Sequence, residues 1–167
     1  MLVIGSPGAG KSTLAAELAR LSGLPLVHLD QHYWRPGWAE PAPEEWEAQV
    51  SRLIAEPRWV IDGNYSATLR QRLTRADTVV YLDLPNWLCL TRIVRRWLRH
   101  RGRVRGDMAP GCPEQLPPEF LAYALAFPHR GRRRVEEKLK DYSGTVIRLR
   151  RPAEVRSFLA GVGADLL

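Results

Sequence analysis

The chain is poor in cysteine and lysine, and it has no long apolar run. Its two cysteines, Cys89 and Cys112, show no C-x-x-C and no Cys/His ligand spacing. A disulfide framework and a zinc site are therefore not implied, and two free thiols in a reducing compartment are expected. No stretch approaches the roughly eighteen consecutive apolar residues of a membrane span. Internal repeats and low-complexity tracts are lacking too. Lysine occurs only at Lys11, Lys138 and Lys140, so arginine supplies most of the 25 cationic side chains and the formal charge of +7. Such a balance attracts polyanions: nucleotides, nucleic acid or an anionic surface. At 167 residues and 45% hydrophobic, residues 1–167 suit one domain with a real core.

Against this background one stretch stands out: Gly5-Ser6-Pro7-Gly8-Ala9-Gly10-Lys11-Ser12-Thr13. It fits G-x-x-x-x-G-K-[ST], the phosphate-binding loop. The apolar run 1–4 before it reads as a buried strand. Leu14, Ala15, Leu18, Ala19 and Leu21 after it lie on one helical face. Strand, loop and helix in that order aim backbone N–H groups and the positive end of a helix dipole at an anion. Lys11 is expected to neutralise β- and γ-phosphate charge, and Ser12 to hold Mg²⁺. Because the motif opens at residue 5, no signal peptide is expected ahead of it, and a cytoplasmic location follows as an expectation.

Further along, apolar runs at 26–29, 59–61, 78–82 and 144–149 alternate with helical patterns at 43–56, 67–73, 86–99, 118–127, 132–142 and 154–160. Continuous apolar strands separated by helices predict an α/β fold: a parallel five-stranded sheet covered by helices on both faces. The aromatic stretch 31–38 reads as a loop, and the Gly-, Pro- and charge-rich 102–118 as a mobile insertion. Ligands in such sheets sit beyond the carboxyl ends of the strands. There the chain places Asp30, Asp62 and Asp83. Asp62, before Gly63, is the first candidate for Mg²⁺. Asp83 reads equally as a turn residue. Asp30 reads as an acceptor-orienting acid, as a base for a hydroxyl, or as a strand-end turn residue. Asn64, Tyr65 and Trp34 are candidate acceptor contacts.

The helix at 86–99 carries an apolar stripe, Leu90, Ile93, Val94 and Trp97, and an arginine stripe, Arg92, Arg95, Arg96 and Arg99. Together with Arg130, Arg132, Arg133 and Arg134 beyond the insertion, these arginines suit a lid, spanning about 102–130, that closes over a polyphosphate. A solvated face is a second reading. A nucleic-acid patch, with Trp34, Trp38 and Trp97 as stacking groups, is a third. Trp46, Trp59 and Trp97 read as core, and His28 as a packed histidine.

Taken together, these motifs resemble the adenylate kinase-like P-loop kinases over nearly the whole chain. The resemblance is nearest to the subgroup known as DNA topology modulation proteins. It is carried by the phosphate loop, Leu29-Asp30, Ile61-Asp62-Gly63-Asn64-Tyr65, and Tyr81-Leu82-Asp83-Leu84-Pro85 followed by Thr91-Arg92-Ile93-Val94-Arg95-Arg96. It implies a P-loop NTPase fold like that of nucleoside monophosphate kinases, with a lid insertion. ATP and Mg²⁺ are the implied cofactors, and a nucleotide or other small molecule, not identified, the acceptor; a nucleotide-dependent DNA-binding, topology-modulating regulatory protein, or an ATPase without acceptor, is the alternative. By position it implies that Gly5, Pro7, Gly8, Ala9, Gly10, Lys11, Ser12 and Thr13 hold the phosphates, and Asp62 the metal's water shell. Arg92 and Arg96 correspond to lid-entry arginines, Arg130 or Arg134 to a lid-exit arginine, and Pro152 to the loop beside adenine. Asp30 corresponds to an acceptor-side acid, with Trp34, Gly63 and Asn64 around it. Adenylate kinases proper continue Asp-Gly with Phe-Pro-Arg, which serves AMP. Asn64-Tyr65-Ser66 stands here instead and argues against AMP as the acceptor.

Overall fold

A computed structural model describes residues 1–164. Its five strands are β1 (Leu2–Gly5), β2 (Leu26–His28), β3 (Val60–Asp62), β4 (Thr78–Leu82) and β5 (Thr145–Leu149). They form one parallel sheet in the order β2-β3-β1-β4-β5. Since β1 is central and the chain winds outward to either side of it, its carboxyl end lies at the topological switch point, where a ligand crevice opens.

Alternate side chains of each strand enter two separate cores. Leu2, Ile4, Ile61, Val79 and Tyr81 pack with α3 (Pro43–Ala55), α4 (Leu69–Leu73) and α7 (Arg132–Leu139). Val3, Val60, Val80 and Leu82 pack with α1 (Lys11–Ser22), the start of α5 (Asn86–His100) and α8 (Pro152–Ala164). Covering both faces is why the strands read as unbroken apolar runs. Trp46 and Trp59 belong to the first core, as expected.

Several expectations change. The segment 26–30 does not run as a strand to Asp30. The chain turns after His28 into α2 (Leu29–Tyr33), so Asp30 stands in the first turn of a short helix. Five residues are too few to show helical periodicity. On α5 the buried line is Cys89 and Ile93, whereas Val94 is exposed and Trp97 half-buried under the Arg101 guanidinium. The last helix starts earlier than predicted, with Pro152 at its first position, where a missing N–H costs nothing. Glu154 Oε2 accepts from the Arg150 and Arg151 amides ahead of it.

The largest change concerns the insertion. Its composition suggested mobility, yet it is packed. Met108, Ala109, Cys112 and Glu114 are buried. Gly37 N–H donates to Gly111 O at 3.0 Å, and Trp38 Nε1 donates to Pro113 O at 3.2 Å. Gly111, at φ 76°, presses on Pro36 where a side chain would collide. The insertion thus lies on the loop that follows α2. Beyond it, α6 (Pro118–Ala126) passes through one π turn (Phe127–Gly131) into α7. Pro128, which has no N–H to donate, sits in that turn.

Candidate active site

The switch point opens into a cleft of 1490 Å³. Its floor is the phosphate loop: Pro7, Gly8, Ala9, Gly10, Lys11, Ser12 and Thr13 all line it. Gly10 has φ 94° and stands where α1 begins, with no side chain capping the helix. The amino end of α1 therefore faces the cleft with free N–H groups. Gly8 has φ 77°, and a side chain there would strike the Cys89 carbonyl, so this glycine also lets the loop pass close under α5. Gly5 was expected to touch phosphate, but it lies beneath the loop and does not line the cleft. A side chain at Gly5 would strike the Leu82 carbonyl of β4.

The Lys11 ammonium donates to the carbonyls of Gly5 and Ser6, both at 3.1 Å. Burial lowers its pKa, opposed by the charges of Asp30 and Asp62. A desolvated ammonium over an open helix amino end is complementary to a polyphosphate. Arg92 reaches across from α5 and donates to Ala9 O at 2.9 Å, which fixes its guanidinium above the loop.

Arg95, Arg96 and Arg99 line the cleft together with Arg92. Arg92 and Arg96 are half-buried there, whereas Arg95 and Arg99 are exposed, so the stripe is turned toward the cleft and in part solvated. Arg96 carries a complication that the sequence did not reveal. Its Nε donates to Glu114 Oε1 at 2.8 Å, and Arg105 meets Glu114 Oε2 at 2.7 Å. One buried carboxylate of the insertion thus bridges two guanidiniums. Neither Arg130 nor Arg134 lines the cleft, and Arg130 is exposed in the π turn. Of their neighbours, Arg132 lies 2.7 Å from Asp83 and Arg133 pairs with Glu137 at 2.9 Å. Asp83 is nearly buried and also faces Arg148 at 3.9 Å, so it anchors α7 and β5 and is not presented to a metal.

Asp62 ends β3, nearly buried but lining the cleft. Its Oδ1 lies 2.7 Å from His28 Nδ1. The bond to Asp62 raises the pKa of His28 against the effect of burial. His28 is thus packed, as expected, but packed as the partner of the metal candidate. Ser12 and Asp62 both present oxygen to the cleft, a donor set that suits a hard cation such as Mg²⁺.

Asn64 differs from expectation. Its Oδ1 accepts from the Gly5 amide at 3.1 Å and its Nδ2 donates to Gly5 O at 2.8 Å. Both ends of the side chain are engaged by the backbone under the phosphate loop, so Asn64 clamps the loop instead of reaching for an acceptor. The turn that carries it is strained, with Gly63 at φ 126° and Tyr65 at φ 31°. Arg72 of α4, fully buried, holds that turn. Its guanidinium donates to Gly63 O at 2.9 Å, Asn64 O at 2.5 Å and Tyr65 O at 3.0 Å. Burial pushes its pKa down to about 9, so it remains a cation at neutral pH.

On the β2–β3 side, Asp30, Tyr33, Trp34, Trp38 and Tyr65 line the cleft. Tyr65 donates its hydroxyl to Asp30 Oδ1 at 2.5 Å. Burial raises the pKa of Asp30, against the lowering effects of that bond and of Lys11. At the opposite end, Pro152, Val155, Arg156 and Leu159 form a wall from α8, where the sequence placed the adenine side.

Fold and cleft together define the class: a P-loop kinase fold with its phosphate loop at the switch point. Solved structures agree. A shikimate kinase from Acinetobacter baumannii in complex with shikimate superposes with a TM-score of 0.58 at 20% identity, covering 99% of this chain and 93% of that one. A shikimate kinase from Bacteroides thetaiotaomicron gives 0.55 at 16%, with 99% and 96% covered. An uncharacterized protein from Eubacterium ventriosum gives 0.52 at 14%, with 99% and 96% covered. At these identities the likeness concerns the fold. No protein-family model and no curated protein matches the chain. Among the described residues, no helix is long and apolar enough to cross a membrane.

Proposed function

We propose that this protein is a phosphotransferase that moves the γ-phosphoryl group of ATP to a small-molecule acceptor with Mg²⁺. The observation that carries the reading is the continuity of the cleft. One floor runs from the α8 wall through the phosphate loop to Asp30 and the aromatic side chains beyond it. Mg²⁺ would supply charge neutralisation between the phosphates, held by Ser12 and Asp62. Lys11 and Arg92 stabilise negative charge over the loop, and Arg96 joins them when Glu114 releases it. In the step itself an acceptor hydroxyl oxygen forms the new bond to phosphorus as the β–γ bridging P–O bond breaks. The electron pair of that bond leaves with ADP, and the hydroxyl proton passes to Asp30. Burial raises the pKa of Asp30 above its ordinary value, which makes its carboxylate a stronger proton acceptor. The insertion, already seated on the 35–39 loop, would limit the access of water as a competing acceptor once both substrates fill the cleft.

The finer resemblance, to adenylate kinase-like enzymes, rests on the phosphate loop, Leu29-Asp30, the turn at 62–65 and the segments 81–85 and 91–96, and that to their topology-modulation subgroup on the turn at 62–65 in particular. A nucleic-acid role has less support, because the α5 arginines together with Trp34 and Trp38 line the cleft. The test is ADP formation measured with a panel of acceptors. One acceptor is expected to raise the rate severalfold. Lys11→Ala is expected to lower that stimulated rate by about a hundredfold or more, since it removes a charge that acts on the transition state. No stimulation by any acceptor, or full activity in Lys11→Ala, would refute the proposal.

A further inference from the structure

The cleft is divided by charge. Its cationic lining residues come from α1, α5, the insertion and α8: Lys11, the α5 arginines and His100, Arg105 and Arg156. The lining residues of the β2–β3 side, taken from residues 30–66, include no lysine, arginine or histidine. They include Asp30, Glu40 and Asp62. The insertion also lines the cleft with Asp107 and Glu114, each paired with arginine, and α6 with Glu119.

The cations nearest this side are already engaged. Arg105 of the insertion meets Asp107 at 3.1 Å and Glu114 at 2.7 Å. Arg72 lies behind the strained turn with its donors on three carbonyls. Arg35 pairs with Glu45, and Lys138 donates to Ser66 O. The second oxygen of Asp30 has no protein partner among the described residues.

Between these carboxylates stands an aromatic wall. Ring centroids follow one another at 5.2 Å from Trp38 to Trp34, 5.0 Å from Trp34 to Tyr33 and 4.6 Å from Tyr33 to Tyr65. Aromatic faces beside carboxylates bind organic cations, through the ring quadrupole and through charge. An anionic acceptor would meet the like charges of Asp30, Asp62 and Glu40, while Lys11, whose charge acts on Asp30 and Asp62, is held at the phosphate loop, a juxtaposition that disfavours it.

We infer that the phosphoryl acceptor is a hydroxyl-bearing organic cation, an amino alcohol or amino sugar, and neither a phosphate ester nor a hydroxy acid. This rests on the phosphotransfer reading above and narrows its acceptor class. The ammonium group would sit against the aromatic wall near Glu40, leaving a hydroxyl to face Asp30.

The experiment measures ADP release at pH 7 with ATP and Mg²⁺. The cationic probes are glucosamine, 2-deoxystreptamine and ethanolamine. N-acetylglucosamine, AMP and shikimate, the ligand of one structural neighbour, serve as uncharged and anionic probes. Stimulation is expected from a cationic probe, with loss of about tenfold or more on N-acetylation. Glu40→Lys is expected to raise KM for that probe by about tenfold while kcat stays nearly constant, as removal of uniform binding predicts. Equal or better use of AMP, shikimate or N-acetylglucosamine overturns the inference, and so does failure of every cationic probe. The melting temperature with ATP and Mg²⁺, read on the same samples, separates the two levels. A normal ATP shift without use of a cation sinks this inference alone, whereas absence of the ATP shift sinks the broader reading.

Discussion

The two ends of the cleft solve their problems by different means. The phosphate end is built from local backbone: a glycine at φ 94°, an uncapped helix start and a lysine one residue further on. The acceptor end is built from distant side chains. Asp30 is held by a tyrosine 35 residues away, and the turn at 62–65 by an arginine of the next helix. Local backbone geometry restricts which residues can occupy each position of the loop, so the first end tolerates little variation. The second end depends on a scaffold, and its lining side chains can change while the scaffold persists. If that contrast is right, the acceptor end is broken most severely from behind, through the scaffold.

The largest effect is therefore expected at Arg72. Replacement by leucine removes a donor from the buried Gly63 carbonyl and from the part-buried carbonyls of Asn64 and Tyr65, in a turn that already holds Tyr65 in the left-handed region. Each buried carbonyl left without its donor costs about 1–3 kcal/mol. Denaturant unfolding of Arg72→Leu should show a loss in that range. A loss under about 1 kcal/mol would mean that the turn holds itself.

This arginine also marks where sequence reading stopped. The strands were legible because both faces of the sheet are covered, which leaves their apolar runs unbroken. The phosphate loop was legible because its chemistry requires fixed residues at fixed spacing. Arg72 was not, because nothing in a five-residue helix distinguishes an inward guanidinium from a solvated one. The clue available was the turn itself: Asp62-Gly63-Asn64-Tyr65 has carbonyls to satisfy and no strand partner for them. Asn64 was singled out, but for an acceptor contact, since its pairing with Gly5 spans 59 residues. The packed insertion was missed for a similar reason. Its Gly, Pro and charge content resembles a mobile segment, while its buried Met108 and Cys112 are too few to form a pattern.

Asn64 links the two ends, and the expected effect there is smaller. Asn64→Ala leaves the Gly5 amide without its side-chain partner and takes one of two donors from the Gly5 carbonyl, which keeps Lys11; a buried group left unpartnered costs about 1–3 kcal/mol. Because the clamp sits under the phosphate loop, the affinity for ATP should fall as well. Calorimetric titration of ATP with Mg²⁺ into the variant would show this. Unchanged ATP affinity with lost stability would separate the clamp from phosphate binding. Loss of acceptor KM alone would restore Asn64 to the acceptor side.

The smallest effect is a shift in pH dependence at Tyr65. Burial raises the folded-state pKa of Asp30 above its ordinary value, and the Tyr65 hydroxyl bond opposes the rise. As the proposed base, Asp30 must be ionised, so kcat should fall as pH drops through this raised value. The acidic limb is then expected above the usual aspartate range. Tyr65→Phe removes a bond that favours the carboxylate, so the limb should move to still higher pH. Stability follows the same proton. A carboxyl with a raised folded pKa contributes stability that is fully present below its unfolded value and is lost as pH rises through the folded one. Without the tyrosine bond that loss should extend to higher pH, in the same direction as the limb. A limb that stays fixed in Tyr65→Phe would show that Asp30 does not carry the proton. A limb that moves down would show that the hydroxyl stabilises the protonated acid, and the acceptor end would then need a different base.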